Sequence, residues 1–552
     1  MAISRCFLSF QDGRPPALRA ERWDNMMTES AQAPSLGRKT GVRRRNLQKT
    51  AGEIHALKRP NFLIIQTDQH NPKIAGYAGD PLARTQALDA LAERSTIFDA
   101  AYCQSPLCVP SRLSMLTGRY VGALKAWNNT CELGPEHLTF AEHLGNNGYT
   151  TALVGKMHLA GPRWMGGFQH RPYGDLCVDR FCFHQPDPVE TWDGRWCNHA
   201  VGRFPWAGET EIPESLLADA NVTRESLAFL LEHADTAPDR PWLLVAGYSR
   251  PHFPLTAPGR YFRRAAREVT GLPPKPAGYP DCLHPHDRYI VEDFHLLEFP
   301  EEDHIRALAA YYACVDYVDD CIGELLDSLQ KAGLLENTYV IYLSDHGDMC
   351  AEKGLWCKRT YYDASARVPL MICGPDIPAG VRIPLPVELT DLFPTLCELA
   401  GAPVPDALDG VSLIPLLGGD PAACSRRFAR SELLTPLKQT AFRMARDERW
   451  KYVEFPEAPP RLFDMRSDPE ETVDLLECSP PPPDCPLADL EAAARQGLSW
   501  DDIARLQEED LSSRPPRIRH PGRGPVQYLF RGERVDGDAF LYPGLAEAGE
   551  ED

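Results

Sequence analysis

Phe62-Leu63-Ile64-Ile65-Gln66-Thr67-Asp68-Gln69 is a short apolar run that leads straight into a carboxylate and an amide, and the pattern recurs along the chain. Ala152-Leu153-Val154 runs into Gly155-Lys156-Met157-His158, and Trp242-Leu243-Leu244-Val245 into Ser249-Arg250-Pro251-His252. Tyr339-Val340-Ile341-Tyr342-Leu343 runs into Ser344-Asp345-His346-Gly347-Asp348, and Val368–Cys373 is a further apolar stretch. Unbroken runs this short, rich in Val, Ile and Leu, are the mark of strands buried on both faces. Between them lie helical spacings at Leu88–Glu93, Leu138–Leu144, Ile305–Leu329 and Leu389–Leu399. The alternation predicts an α/β fold with a mostly parallel sheet flanked by helices. Ligands of such sheets bind beyond the carboxyl ends of the strands, so four strand ends bearing polar side chains aim them at one crevice.

A second stretch names the chemistry. Cys108-Val109-Pro110-Ser111-Arg112, followed by Leu116-Thr117-Gly118-Arg119, resembles the signature of the type I sulfatases. Arg59-Pro60-Asn61-Phe62, Gly155-Lys156-Met157-His158, Pro251-His252-Phe253, Ser344-Asp345-His346-Gly347 and Leu462-Phe463-Asp464 are similar to other landmarks of that family. The likeness spans roughly Pro60 to Leu475 and implies an alkaline-phosphatase-like fold. It also implies that Cys108 is oxidised to Cα-formylglycine by a formylglycine-generating enzyme. A hydrated aldehyde offers two geminal hydroxyls, one to attack and one to expel product, which a thiol cannot do.

The residues fit a divalent-cation site on their own chemistry. Two carboxylates, Asp68 and Asp345, with the Gln69 carbonyl and the His346 imidazole make a mixed oxygen and nitrogen donor set. Mg²⁺ and Ca²⁺ prefer oxygen and Mn²⁺ accepts imidazole, whereas zinc would call for a thiolate or a histidine cluster. By the resemblance Asp68, Gln69, Asp345 and His346 are metal ligands, with position 108 among them. Arg112, Lys156, His158, His252 and Lys358 then bind sulfate and move protons. Many sulfatases carry two aspartates after the first strand and an asparagine after the later aspartate. The Asp68-Gln69 and Asp345-His346 pairs are instead similar to choline sulfatases and phosphonate monoester hydrolases. A neutral amide in place of a carboxylate makes the site less negative and suits Ca²⁺ or Mn²⁺. Asn128-Asn129 before Glu132, and Gly155–Gly161 leading to Gly167-Phe168, also resemble choline sulfatases, but no aromatic cage for a choline headgroup stands out.

Composition bounds the alternatives. A chain of 552 residues with 43% hydrophobic and 25% charged residues is that of a globular protein large enough for more than one domain. Its net charge of −20 excludes attraction to nucleic acid by its overall field. Seventeen scattered cysteines without a CxxC pair exclude a small disulfide scaffold. No run approaches the roughly 18 apolar residues of a membrane span. Residues 1–59 carry twelve Lys/Arg against five Asp/Glu and read as a disordered basic leader. Arg43-Arg44-Arg45 there is faintly like a twin-arginine signal but lacks the apolar stretch that should follow, so a cytoplasmic location is expected. The expected domains are a catalytic unit over 60–425, a small C-terminal α+β subdomain over 426–475 with antiparallel strands, and a polar tail over 476–552. The tail holds one amphipathic stretch near Leu487–Leu506 and aromatics Tyr528, Phe530, Phe540 and Tyr542, which are expected to pack on the main domain or on a second subunit of a homo-oligomer. The expected activity is hydrolysis of a small-molecule or carbohydrate sulfate ester. The alternatives are a phosphonate monoester or phosphodiester hydrolase using the same nucleophile, and a catalytically silent relative that binds metal or anions.

Overall fold

The structure is a computed structural model that describes residues 59–159, 161–175, 204, 207–420, 422, 424–477 and 480–510, and the backbone of 511–513, 527–530 and 533–536. The basic leader and the aromatics Phe540 and Tyr542 lie outside the described residues.

Strands follow in the order β1 (Asn61–Asp68), β2 (Thr96–Tyr102), β3 (Thr150–Gly155), β4 (His170–Asp175), β5 (Gly208–Glu209), β6 (Trp242–Pro251), β7 (Thr256–Ala257) and β8 (Thr338–Ser344). They continue with β9 (Leu370–Cys373), β10 (Val381–Glu388), β11 (Ala429–Leu433), β12 (Phe442–Arg446), β13 (Trp450–Glu454), β14 (Arg461–Asp464), β15 (Gln527–Phe530) and β16 (Glu533–Asp536). One ten-stranded sheet runs β10-β2-β9-β8-β1-β6-β3-β4-β15-β16. Its central strands β8, β1, β6, β3 and β4 are mutually parallel. β9 is the antiparallel exception inside it.

Successive residues of a strand face opposite sides, and here both sides are core. In β1, Leu63 and Ile65 enter one hydrophobic cluster while Phe62 and Ile64 enter the other. In β6, Leu244 and Ala246 alternate with Leu243 and Val245 in the same way. Double burial is why these strands read as continuous apolar runs. Each fully buried aliphatic side chain contributes about 1.5–3 kcal/mol.

The first of those clusters is closed by a helix over Glu301–Lys331, the longest of the described residues. Glu301, Glu302 and Asp303 in its first turn and Lys331 in its last oppose the helix dipole. Its Asp319 accepts the backbone N–H groups of Ala87 and Leu88, each at 2.9 Å, and so docks the start of helix Gln86–Glu93. No helix among the described residues is long and apolar enough to cross a membrane.

A second, antiparallel sheet has the order β11-β12-β13-β14. Helix Leu487–Ala494 covers it, with Leu490 and Ala494 packed on Ala445, Trp450, Tyr452 and Leu462. The amphipathic stretch of the tail divides there, the next helix running from Trp500 to Ser513. Further on, the backbone of β15 adds to the edge of the large sheet, Tyr528 opposite Asp175 and Phe530 opposite Tyr173.

A buried ion triplet joins the two sheets. Lys451 of β13 has no exposure and its Nζ lies 2.7 Å from Asp363 Oδ1 and 2.6 Å from Glu471 Oε1. Tyr102 at the end of β2 donates to the same Asp363 oxygen at 2.8 Å. Removing one member of a buried pair leaves the other charge without compensation, at a cost of about 3–5 kcal/mol. Lys451→Met should therefore lower unfolding stability by that order, read as a lower urea midpoint with unchanged slope. A midpoint equal to that of the parent protein would show that the triplet contributes nothing.

Candidate active site

Four strand ends do converge. β1 stops at Asp68, and Gln69 turns the chain with φ at +68°, a left-handed value that costs a non-glycine residue about 1–3 kcal/mol. The turn is held from both sides. Gln69 donates its N–H to Asp345 Oδ1 at 3.1 Å, and its carbonyl accepts from the Tyr311 hydroxyl at 2.6 Å. Asp345 follows the last residue of β8, and its Oδ1 also accepts the His346 N–H at 3.0 Å.

On the other side of β1, the ends of β3 and β6 approach with no room for a side chain. A Cβ on Gly247 would lie 2.1 Å from the Lys156 carbonyl oxygen, and one on Gly155 would lie 2.2 Å from the Gly247 carbonyl oxygen. Gly155 also sits at φ +90°. Paired glycines thus set where Lys156 and His158 leave β3.

Cys108 is the first residue of helix Cys108–Thr117, all of which is buried. Asn129 Oδ1 accepts the Val109 N–H at 2.9 Å, satisfying one of the free donors of the first turn, and Pro110 needs no acceptor there. Ser111 Oγ donates to the Asp345 carbonyl at 2.6 Å and pins the helix to the end of β8. Arg112, one turn on, shares the face of Cys108. That is the physical sense of the Cys-x-Pro-Ser-Arg order.

Arg112 bridges both carboxylates: Nη2 lies 2.6 Å from Asp68 Oδ2 and Nε 2.8 Å from Asp345 Oδ2, with all three side chains unexposed. Lys156 Nζ is 2.9 Å from Asp68 Oδ2, and Lys358 Nζ is 2.9 Å from Cys108 Sγ. His252 Nε2 stands 3.9 Å from Asp68 Oδ1 and makes no hydrogen bond, its Nδ1 being engaged with the Phe253 carbonyl at 2.7 Å. His158 is fully buried at φ +62° within the field of Lys156, Arg112 and Asp68.

Burial works against Asp68, yet Lys156, His252, Arg112 and Lys358 together hold its carboxyl well below the usual range. Burial and the charges of Lys156 and Lys358 push His252 well down, and burial with Lys156 and Arg112 does the same to His158. Burial brings His346 down to about 4 against the opposing pull of Asp345. Burial and the Asp68 carboxylate raise the Cys108 thiol, so it stays protonated.

The donor set suits a hard or borderline divalent cation. One ligand atom each from Asp68, Cys108, Asp345 and His346 lies within 4.8 Å of all the others. His346 gives its Nδ1 hydrogen to the Gly347 carbonyl at 3.0 Å, which leaves the Nε2 lone pair 3.5 Å from Asp345 Oδ2 and 3.3 Å from Cys108 Sγ. Gln69 Oε1 is buried with no hydrogen-bond partner. A neutral imidazole, two carboxylates and an unclaimed amide oxygen fit Ca²⁺ or Mn²⁺.

All ten residues picked from the sequence thus belong to one buried region, which Gln69 meets through its backbone N–H on Asp345. Two contributors are not assigned by the motif reading. Asp348 is part of the run quoted after β8, but only its partners reveal it. Asn129 is visible as a polar pair with Asn128, while its task of satisfying the first turn of the Cys108 helix appears only in three dimensions.

An alkaline-phosphatase-like sheet with a cysteine, a charged cluster and a cation-type donor set at its strand ends defines a hydrolase of anionic esters. The sulfatase family model matches residues 60–402, and a model described as the C-terminal part of N-sulphoglucosamine sulphohydrolase matches residues 351–480. A choline-sulfatase of Rhizobium meliloti (strain 1021) is 35% identical over 435 residues, covering 76% of this chain and 83% of the relative. An ulvan-active sulfatase of Formosa agariphila is 30% identical over 448 residues, covering 78% and 79%. Among solved structures, a phosphonate monoester hydrolase from Silicibacter pomeroyi superposes with a TM-score of 0.64 at 26% identity over 82% of this chain and 94% of that one. The chain belongs to the sulfatase family and is a sulfuric ester hydrolase.

The paired glycines make a direct test of how the site is held. Gly247→Ala should displace the Lys156 carbonyl, lowering stability by about 1–3 kcal/mol as overpacking does and reducing sulfate ester turnover. Parent-like melting and turnover would show that the β3 and β6 ends tolerate separation.

Proposed function

We propose that the chain hydrolyses sulfate monoesters to an alcohol and inorganic sulfate, using Cα-formylglycine formed from Cys108 and one divalent cation, Ca²⁺ or Mn²⁺. The observation that carries this reading is the setting of Cys108. Its Sγ is buried at the start of a helix, 2.9 Å from Lys358 Nζ and 4.0 Å from Asp68 Oδ1, in surroundings that keep the thiol protonated. A protonated buried thiol is a poor nucleophile. The aldehyde would supply two geminal hydroxyls at that point, one to form the bond to sulfur and one to expel sulfate. Conversion depends on a formylglycine-generating enzyme acting on the chain.

Asp68, Gln69 through its side-chain oxygen, Asp345 and His346 would hold the cation, with position 108 at its edge. The cation would lower the pKa of a hydroxyl and offset substrate charge. Arg112 fixes both aspartates by taking one oxygen of each. Arg112, Lys156 and Lys358 together outnumber the two carboxylates they face, so the site favours an anion. Lys156 and Lys358 lie where they can bind sulfate oxygens, their Nζ atoms standing 2.9 Å from Asp68 Oδ2 and 2.9 Å from Cys108 Sγ. Lys358 and His252, whose Nε2 is open toward the cluster, are placed to protonate the departing alcohol, His252 once the bound anionic ester offsets the charges of Lys156 and Lys358 that hold its imidazole neutral. His158 then takes the proton whose loss releases sulfate. Lys156 and His158 also weigh against the phosphonate monoester alternative, whose members replace this Lys-x-His element with uncharged residues.

Intact protein from a host with the modifying enzyme should be roughly 18 Da lighter than the encoded chain. Cys108→Ala should remove turnover with the fold retained. Cys108→Ser should form a sulfate ester once and fail to clear it, because the second hydroxyl is missing. Repeated turnover by the serine variant would refute the mechanism. Parallel rates on 4-nitrophenyl sulfate, choline sulfate, a sulfated sugar and a phosphonate monoester identify the substrate class, and a phosphonate rate above every sulfate rate would favour the alternative.

The cation is tested separately. Asp68→Ala and Asp345→Ala each delete a charged ligand and should lower bound Ca²⁺ or Mn²⁺ by at least about tenfold in elemental analysis. Unchanged metal content in both would overturn the assignment.

A further inference from the structure

Asp348 is fully buried, three residues beyond Asp345 on the segment that leaves β8. Its two carboxylate oxygens serve different partners. Oδ1 accepts the backbone N–H groups of Cys350 and Cys357, each at 2.9 Å, and so folds the segment that carries Lys358 back toward the site. Oδ2 accepts from Nε2 of the Gln69 side chain.

Two backbone N–H groups occupy Oδ1, and an ionised carboxylate only accepts, so only the NH₂ end of the amide can face Oδ2. The oxygen end of that amide, Oε1, is buried without a hydrogen-bond partner. We propose that Asp348 is the positioning residue of the cation site: by claiming the NH₂ end of Gln69 it leaves the amide oxygen to the cation. This rests on Gln69 being a ligand. A carboxylate at position 69 would offer equivalent oxygens whichever way it turned. A carboxamide offers a donor group or an acceptor, and something must choose.

The hydrogen-bond roles make the test. In Asp348→Asn the Cys350 and Cys357 N–H groups still require the side-chain oxygen, so the introduced NH₂ group faces Gln69. Gln69 must then turn its oxygen toward that group and its own NH₂ toward the cation. Gln69→Glu reverses the pairing, because a carboxylate accepts from the introduced NH₂ and still presents its second oxygen.

Ca²⁺ and Mn²⁺ affinities are measured by calorimetry on the parent, both single variants and Gln69→Glu/Asp348→Asn, with melting curves recorded for each. Asp348→Asn should weaken cation binding by at least about tenfold. Gln69→Glu should improve affinity at least about tenfold more in the Asp348→Asn background than in the parent, where the new carboxylate would face that of Asp348. Equal effects of Gln69→Glu in both backgrounds, or parent-like binding by Asp348→Asn, overturn the proposal. Should Asp348→Asn fail to fold, recovery of folding and binding in the double variant supports the pairing, and failure of both overturns it. A parent protein that binds neither cation instead removes the metal reading on which the proposal stands.

Discussion

The fold and the site depend on one buried contact: the guanidinium of Arg112 against Asp68 and Asp345. Two carboxylates at the ends of adjacent parallel strands repel each other in a low-dielectric interior. Neither could remain ionised there without a cation between them. Arg112 reaches both because helix Cys108–Thr117 starts directly beneath the strand ends and places it one turn after Cys108. The same side chain gives Nη1 to the Lys156 carbonyl at 3.0 Å, which draws the end of β3 into the group. Three strands and one helix are therefore registered by a single planar donor, a geometry that a lysine's point charge would not reproduce.

That dependence explains what is legible in the sequence. β1, β6 and β8 are buried on both faces, so their residues read as unbroken apolar runs, and a polar residue just past each run marks where burial yields to chemistry. β2 is hidden because Asp99 interrupts it, a half-exposed residue that meets Arg382 of β10 at 2.5 Å. β10 is hidden because it carries Pro384 and Pro386, which only an edge strand tolerates, and its pairing shifts register between Ile383 and Pro386. Titratable side chains at strand ends are legible because their types and positions coincide. Asp348 is not, since its work is defined by partners at Gln69, Cys350 and Cys357, one of them far away in sequence.

The site also concentrates backbone strain. Gln69, His158, Cys350, Ala351, Cys357 and Arg359 all have positive φ without being glycine. Each such residue is held by a specific bond or by packing: Gln69 by Asp345 and Tyr311, Cys350 and Cys357 by Asp348, Arg359 by its N–H to the Pro106 carbonyl at 3.1 Å. Strain of this kind persists only where surrounding structure over-determines it. Here the surroundings are the two packed faces of the sheet, so the large core and the strained site belong to one design.

The Asp68-Gln69 pair shows how charge and direction trade against each other. A second carboxylate after β1 would bind a divalent cation more tightly but would also cancel part of the positive field that Arg112, Lys156 and Lys358 turn toward an anionic ester. An amide keeps an oxygen donor while leaving that field in place. What the amide gives up is symmetry: one end attracts a cation and the other repels it. A neutral ligand at position 69 would therefore need a fixed acceptor on its far side, and the buried carboxylate of Asp348, which accepts from the Gln69 NH₂ group, stands there while holding the segment that delivers Lys358. Orientation of the Gln69 amide and placement of a cationic side chain thereby fall to the same residue.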